Sequence, residues 1–218
     1  KANAISTNAL AIAGTGRNPS GNTEGWFLTL PDCDGNNRWD RMDAPLPSTR
    51  ATRTVLDFDG VDDHVELAAP SPELQITGAL TIEGWIYLHR LGVTQSVITL
   101  GEVGEDVSAN LLYSVEVNGS GDIVITHERA DASDAVVVAN TNLLVRQWYH
   151  FAVTRTIFSA STLEYGVQID DLEPIGLGIG GRPAGGTAGR LRVGRAHGAT
   201  PDRPFDGYVA DLRIWNVV

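Results

Sequence analysis

The 218-residue chain has one cysteine, Cys33, so it can form neither an intrachain disulfide nor a thiolate metal cluster. That leaves the redox compartment open. No apolar run approaches the ~18 residues a membrane helix needs, and KANAISTNALAIAG breaks its small apolar residues with Asn, Ser and Thr too often for a secretory h-region. Membrane insertion is not expected. The first residue is Lys1 rather than methionine, which leaves export open. Positive charge is also scarce: 16 basic residues against 27 acidic ones give a formal charge of -11. Such a balance repels phosphate backbones and anionic lipid, so nucleic acid is not expected as a partner. The acidity reads first as a solvated surface and second as a capacity for cations.

Several catalytic signatures are missing as well. His64, His89, His127, His150 and His197 are scattered, with no His-Glu-x-x-His and no pair at helical spacing, and they read as solvated or core histidines. No Gly-x-Ser-x-Gly elbow is present. Cys33 sits between two aspartates in PDCDG, which would raise rather than lower its pKa. GLGIGG matches Gly-x-Gly-x-x-Gly at Gly176, Gly178 and Gly181, but Pro183 and GGTAG follow where a dinucleotide site needs a helix. It reads as a flexible loop.

What the chain does have, from about residue 55 onward, is a series of short strand-like runs separated by turn residues, so the fold class is all-β. LTIEGWIYLHR alternates Thr81, Glu83, Trp85 and Tyr87 on one face with Ile82, Gly84, Ile86 and Leu88 on the other. LYSVEVNGSGDIVITHE reads as a hairpin turning at Asn118-Gly119. Asn118-Gly119-Ser120 is also a glycosylation sequon, and the turn reading takes precedence over it. QWYHFAVTRT, LEYGVQIDDLE, GRLRVGRA and GYVADLRIWNVV supply further strands. Trp85, Trp148 and Trp215 lie within strands and are read as core residues, leaving Trp26 and Trp39 as additional candidates for stacking on sugar. Residues 1–54 are rich in Asn, Thr, Ser, Pro and Gly and read as a mostly irregular arm or linker; the sandwich spans 55–218. GWFLTLPDCDGNNRWDRM is aromatic enough to dock on something.

LDFDGVDDHVEL raises its own question, because it crowds aspartates between two apolar runs. Asp59-Gly60 and Asp62-Asp63 suit a turn, where aspartate caps through its side chain and glycine accepts positive φ. Calcium is the second reading, since it takes several hard oxygen ligands at once.

The order LDFDGVDDHVEL, LTIEGWIYL, WYHFAVTRT, FDGYVADLRIWN resembles the laminin G-like jelly-roll domains of the concanavalin A-like lectin and glucanase superfamily, and more distantly the pentraxins. The resemblance covers roughly residues 55–217 and implies two curved antiparallel sheets face to face, with the first and last strands close together. It also implies a calcium near that meeting point, for which Asp59, Asp62 and Asp211 match the acidic positions; Asp57 and Asp63 are weaker candidates. Glucanase relatives carry Glu-x-Asp-x-x-Glu on one strand. This sequence has no such string, and GEVGED and IDDLEP lie in apparent turns. Glu83 alone cannot supply both acid and nucleophile and reads as a hydrogen-bonded structural residue.

The reading is therefore a non-catalytic recognition or adhesion module, displayed on an extracellular, cell or virion surface and binding glycan or protein. The alternative is a structural or decoration protein of a large assembly such as a phage virion, with residues 1–54 anchoring it to neighbouring subunits. A glycan-cleaving enzyme ranks last.

Overall fold

The chain divides into two compact units, Lys1–Arg53 and Thr54–Val218. The computed structural model describes residues 2–5, 11–17 and 23–29 of the first, and 55–67, 72–101, 111–129, 131, 133–159, 162–183, 189–196 and 203–217 of the second.

In the first unit, β1 (Ala2–Ile5), β2 (Ala11–Arg17) and β3 (Thr23–Thr29) form an antiparallel sheet in that order. Strands β2 and β3 pair from Ala11 with Thr29 to Arg17 with Thr23. Residues 1–54, read from their Asn, Thr, Ser, Pro and Gly content as a mostly irregular arm, carry these three strands within the described residues. Trp39 and the docking expected of its segment lie outside the described residues.

The second unit holds β4 (Leu56–Asp59), β5 (Val65–Leu67), β6 (Leu80–Leu88), β7 (Gln95–Leu100), β8 (Tyr113–Val117), β9 (Ile123–Glu128), β10 (Asp134–Ala139), β11 (Trp148–Ile157), β12 (Thr162–Ile169), β13 (Ile175–Gly180), β14 (Leu191–Val193) and β15 (Asp206–Trp215). One six-stranded antiparallel sheet runs β13-β12-β11-β6-β15-β4, the other β10-β9-β8-β7-β14-β5. Together they make the expected jelly-roll sandwich. The first and last strands are neighbours, β4 and β15 pairing from Asp206 with Asp59 to Val209 with Leu56. Among the described residues no helix is long and apolar enough to cross a membrane.

The core lies between the sheets and follows the period-2 rule. Leu80, Ile82, Ile86 and Leu88 of β6 and Phe151 and Val153 of β11 are buried against Ile98, Leu100, Val115, Val117, Ile123 and Ile125. Polar groups also cross this core. Arg155 is fully buried and donates to the carbonyls of Gly78, Leu112 and Ile76 at 2.9, 3.1 and 2.6 Å. The His127 ring meets the Tyr165 hydroxyl at 2.8 Å and the Gly181 carbonyl at 3.1 Å, tying β9 to β12 across the sandwich. Burial holds the His127 imidazole down at about 4, with the Arg155 and Arg129 charges adding to the effect. Burial likewise raises Tyr165.

Two sequence readings need correction. GLGIGG, read as a flexible loop, falls in the edge strand β13 apart from its last glycine, with β13 paired to β12 from Val167–Ile175 to Thr162–Gly180. Its Ile175, Leu177 and Ile179 turn toward the core while the glycines alternate outward, so the spacing is that of a strand. The β8–β9 hairpin forms as expected, but its positive φ falls at Gly121 (88°) rather than at Asn118-Gly119. The Asn118 carboxamide oxygen accepts from the Ser120 and Asp122 amides at 2.8 and 3.0 Å and builds a longer loop. A side chain at Gly121 would collide with the Leu143 carbonyl at 2.2 Å.

Candidate functional site

The two sheets treat their outer faces differently. On the second sheet, Ser96, Thr99 and Ser114 point away from the core and are nevertheless fully buried, bonded to one another at 2.9 and 3.2 Å. Glu116 beside them is buried, and both its oxygens accept from Arg203 Nη1 at 2.7 and 2.8 Å. Burial raises the Glu116 carboxyl despite that arginine. A shallow depression of about 230 Å³ opens there, with Val124, Thr126 and Val136 on its wall.

The first sheet leaves its outer face accessible, and register dictates what stands there. Residues paired across an antiparallel ladder share a face. Tyr87 pairs with both Trp148 and Tyr208, Trp85 with His150 and Ala210, Glu83 with Ala152 and Arg213, and Thr81 with Thr154 and Trp215. The rings form two neighbouring groups on this face, Tyr87 with Trp148, Tyr208 and His89, and Trp85 with His150. Tyr87 lies 5.5 Å from Trp148 and 5.4 Å from Tyr208, Trp148 is stacked on Tyr208 at 6.1 Å, His89 meets Tyr208 at 4.7 Å, and Trp85 meets His150 at 5.2 Å.

This overturns the core reading of Trp85, Trp148 and Trp215. Trp148 and Trp215 are 37% and 47% exposed and Trp85 is half-buried. The opposite face of β6 already carries Ile82, Ile86 and Leu88, so its aromatic face must turn outward. For Trp215 the reason is a bulge between Ala210 and Arg213, with Asp211 at a φ of 50°. The extra residue resets the alternation, so that Leu212 and Ile214 turn to the core and Arg213 and Trp215 turn out. Gly84 admits the bulge: a Cβ there would stand 3.2 Å from the Leu212 Cα.

Glu83 is the carboxylate at the centre of this face, and it is engaged. Trp215 Nε1 donates to its Oε1 at 3.1 Å, Arg213 Nη1 lies 3.5 Å from the same oxygen, and His150 Nε2 is 3.8 Å from Oε2. Asp206, at the end of the face, faces His89 at 3.0 Å and Arg90 at 3.3 Å. Glu83 and Asp206 thus each face a cation, whereas Asp57, exposed opposite Tyr208 on the same face, has no ion pair among the described residues. The aromatic pair His89 and His150 was not singled out in the sequence as functional, although each follows a ring two positions earlier, Tyr87 and Trp148.

The aspartate stretch folds as a turn joining β4 to β5. Asp59 Oδ1 accepts from the Val61 amide at 2.8 Å and Asp63 Oδ2 from the Asp59 amide at 3.2 Å. Asp59, Asp62 and Asp63 each offer an oxygen within 4.8 Å of the others, all exposed. Hard oxygens suit calcium in type. The Gly60 and Asp62 carbonyls of the same turn accept from Arg90 and Arg195. Asp211 is not brought to this group. It lies beyond Val209, which pairs with Leu56 at the far end of β4, and it accepts from Arg213 at 2.7 Å. Asp57 stands in β4 opposite Tyr208. His64 caps the turn on the Asp62 carbonyl, and Cys33, His197 and GEVGED lie outside the described residues.

Known proteins place this architecture. A laminin G family model, described as the concanavalin A-like lectin/glucanases superfamily, matches residues 59–218. No curated protein sequence matches the chain. Among solved structures, a putative carbohydrate binding protein from Bacteroides ovatus superposes with a TM-score of 0.53 at 16% identity, over 95% of this chain and 52% of its own. The sialidase CBM40 of Ruminococcus gnavus, bound to alpha2,3 sialyllactose, gives 0.55 at 12% identity over 76% of this chain and 92% of its own. Mouse laminin alpha1 domains LG4-5 give 0.54 at 12% identity over 75% and 41%. The chain thus spans about half the length of the first and less than half of the laminin pair. Family match and sandwich agree, and the chain belongs to the laminin G-like group of the concanavalin A-like lectin/glucanases superfamily.

Proposed function

We propose that the second unit is a non-catalytic, surface-displayed glycan-binding module whose site is the outer face of the β13-β12-β11-β6-β15-β4 sheet. The observation that carries this reading is the part-exposed ring cluster of Tyr87, Trp148 and Tyr208, with Trp85 two positions along the same face of β6. Sugar rings have apolar C–H faces that pack on aromatic planes, while the flanking His150, Glu83 and Arg213 can exchange hydrogen bonds with hydroxyls. The Ruminococcus gnavus relative carries sialyllactose, so a sandwich of this kind can hold a sugar. A bond-breaking role has less support, because Glu83 is committed to Trp215 and Arg213 rather than facing a second carboxylate across a lane.

For the β4–β5 turn we propose a single weakly held calcium on Asp59, Asp62 and Asp63, as a structural ion.

A glycan array followed by titration calorimetry tests the main reading. Trp148→Ala is expected to weaken the best array ligand at least tenfold, about 1.4 kcal/mol, with the thermal midpoint moved by only a few degrees. Undiminished binding in that variant would place the site elsewhere.

A further inference from the structure

The aromatic face has two stations rather than one, and their placement says what shape of ligand it takes. The first is the row Tyr208, Tyr87 and Trp148, with His89 at its end. The second is Trp215, paired with Thr81 and fixed in orientation by its Nε1 bond to Glu83. Tyr87 and Thr81 stand on the same strand, so the stations are separated by roughly 20 Å at ~3.3 Å per residue. The lane between them runs over Trp85, flanked by Ala210 and His150, and Glu83, flanked by Ala152 and Arg213, so that a small residue opens one side at each rung. A terminal sugar would occupy one station and leave the other idle.

Charge narrows the class further. The chain is acidic overall, at -11, yet along this lane each arginine already faces a carboxylate: Arg213 faces Glu83 and Asp211, and Arg90 faces Asp206. An anionic sugar would have to break one of these pairs to gain a cation, and a cationic one would meet the arginines. Between the stations the charges are matched, and the exposed carboxylate beside the ring row, Asp57 opposite Tyr208, would repel an anionic sugar, so a neutral chain is complementary to the lane.

We infer that the face binds an internal stretch of an extended, neutral polysaccharide lying along β6, with separate sugar units stacked on the Tyr87–Trp148–Tyr208 row and on Trp215. This rests on the glycan reading of the same face.

The test is titration calorimetry of the intact chain with cello-, xylo- and manno-oligosaccharides of two and five units, and with alpha2,3 sialyllactose as the charged probe. In at least one neutral series the pentasaccharide is expected to bind tenfold or more tightly than the disaccharide. Trp215→Ala should bring that pentasaccharide to within about twofold of the disaccharide. Trp215→Phe, which keeps a ring but loses the bond to Glu83, should retain most of the gain, so that a folding defect is told apart from a lost station. Equal affinity for two and five units, an unchanged pentasaccharide in Trp215→Ala, or preferred binding of sialyllactose would overturn the inference while leaving a glycan site in place. Absence of binding to every probe and to the array would remove the glycan reading itself, and this inference with it.

Discussion

The outer face of the β6 sheet carries rings that stay part exposed, whereas at the middle of the β8 sheet the outward hydroxyls of Ser96, Thr99 and Ser114 are fully buried, with exposed Val136 and Val138 on its edge strand. Both sheets have the same strand count, the same antiparallel pairing and the same apolar inner face. The expectation from composition alone would be the reverse, with serines and threonines outside and tryptophans inside. The inversion carries the functional argument. Buried hydroxyls bonded to one another serve stability, because a buried polar group costs free energy unless it is paired. Part-exposed rings give up some burial, and that is why the proposed binding site is assigned to this face.

Acid provides the sharpest separation of body from face. His127 is buried and held at about 4, against 6.5 for the unperturbed ring. Its folded pKa is below the unfolded one, so the unfolded chain binds the extra proton between these values and stability falls as pH drops from 6.5 to 4. The loss is about 3 kcal/mol over that window. Urea unfolding at pH 7 and pH 4.5 measures it, and His127→Gln should flatten the dependence. A pH-independent midpoint would show that burial does not hold the His127 ring below its ordinary pKa.

Glu116 and Trp148 break the comparison in opposite directions. Glu116→Ala on the closed face leaves Arg203 without its carboxylate, which costs about 2 kcal/mol, held to that size because Arg203 keeps some access to water. Chemical denaturation reads the loss, and oligosaccharide affinity should stay within twofold of the parent. An equal loss of binding in Glu116→Ala would mean that the two faces are not functionally distinct.

How far the sequence carried depended on local phase. In LTIEGWIYL the apolar run Ile82, Ile86, Leu88 is complete on one face, so strand, core face and outward rings can all be read together, although tryptophan's usual burial pulled the assignment the wrong way. In GYVADLRIW the phase changes at Asp211, and nothing in the letters announces a bulge. That one residue moved Trp215 from core to surface, whereas Asp211 is kept from the aspartate turn by the β4–β15 register itself. The strand IGLGIG was hidden by glycine's poor propensity, although its Ile-Leu-Ile alternation was legible. The buried Arg155 was read only as part of a strand, because its partners are backbone carbonyls dozens of positions away.

The smallest expected effect belongs to neither face but to the turn at the edge where β4 meets β15. If Asp59, Asp62 and Asp63 hold calcium with a dissociation constant near 1 mM, as exposed sites with few protein ligands do, then 10 mM calcium stabilises the folded chain by about 1.4 kcal/mol. For a unit of this size that raises the thermal midpoint by about 3–5 °C, and EDTA returns it. Asp62→Asn should abolish the shift, whereas Asp211→Asn should keep it, because Asp211 is engaged by Arg213 in the bulge. A midpoint that ignores millimolar calcium would leave the aspartates as turn residues alone, holding the Val61 and Asp59 amides. Calcium-dependent sugar binding would instead draw the edge into the site, and the contrast between an open ring face and a closed hydroxyl face would no longer locate it.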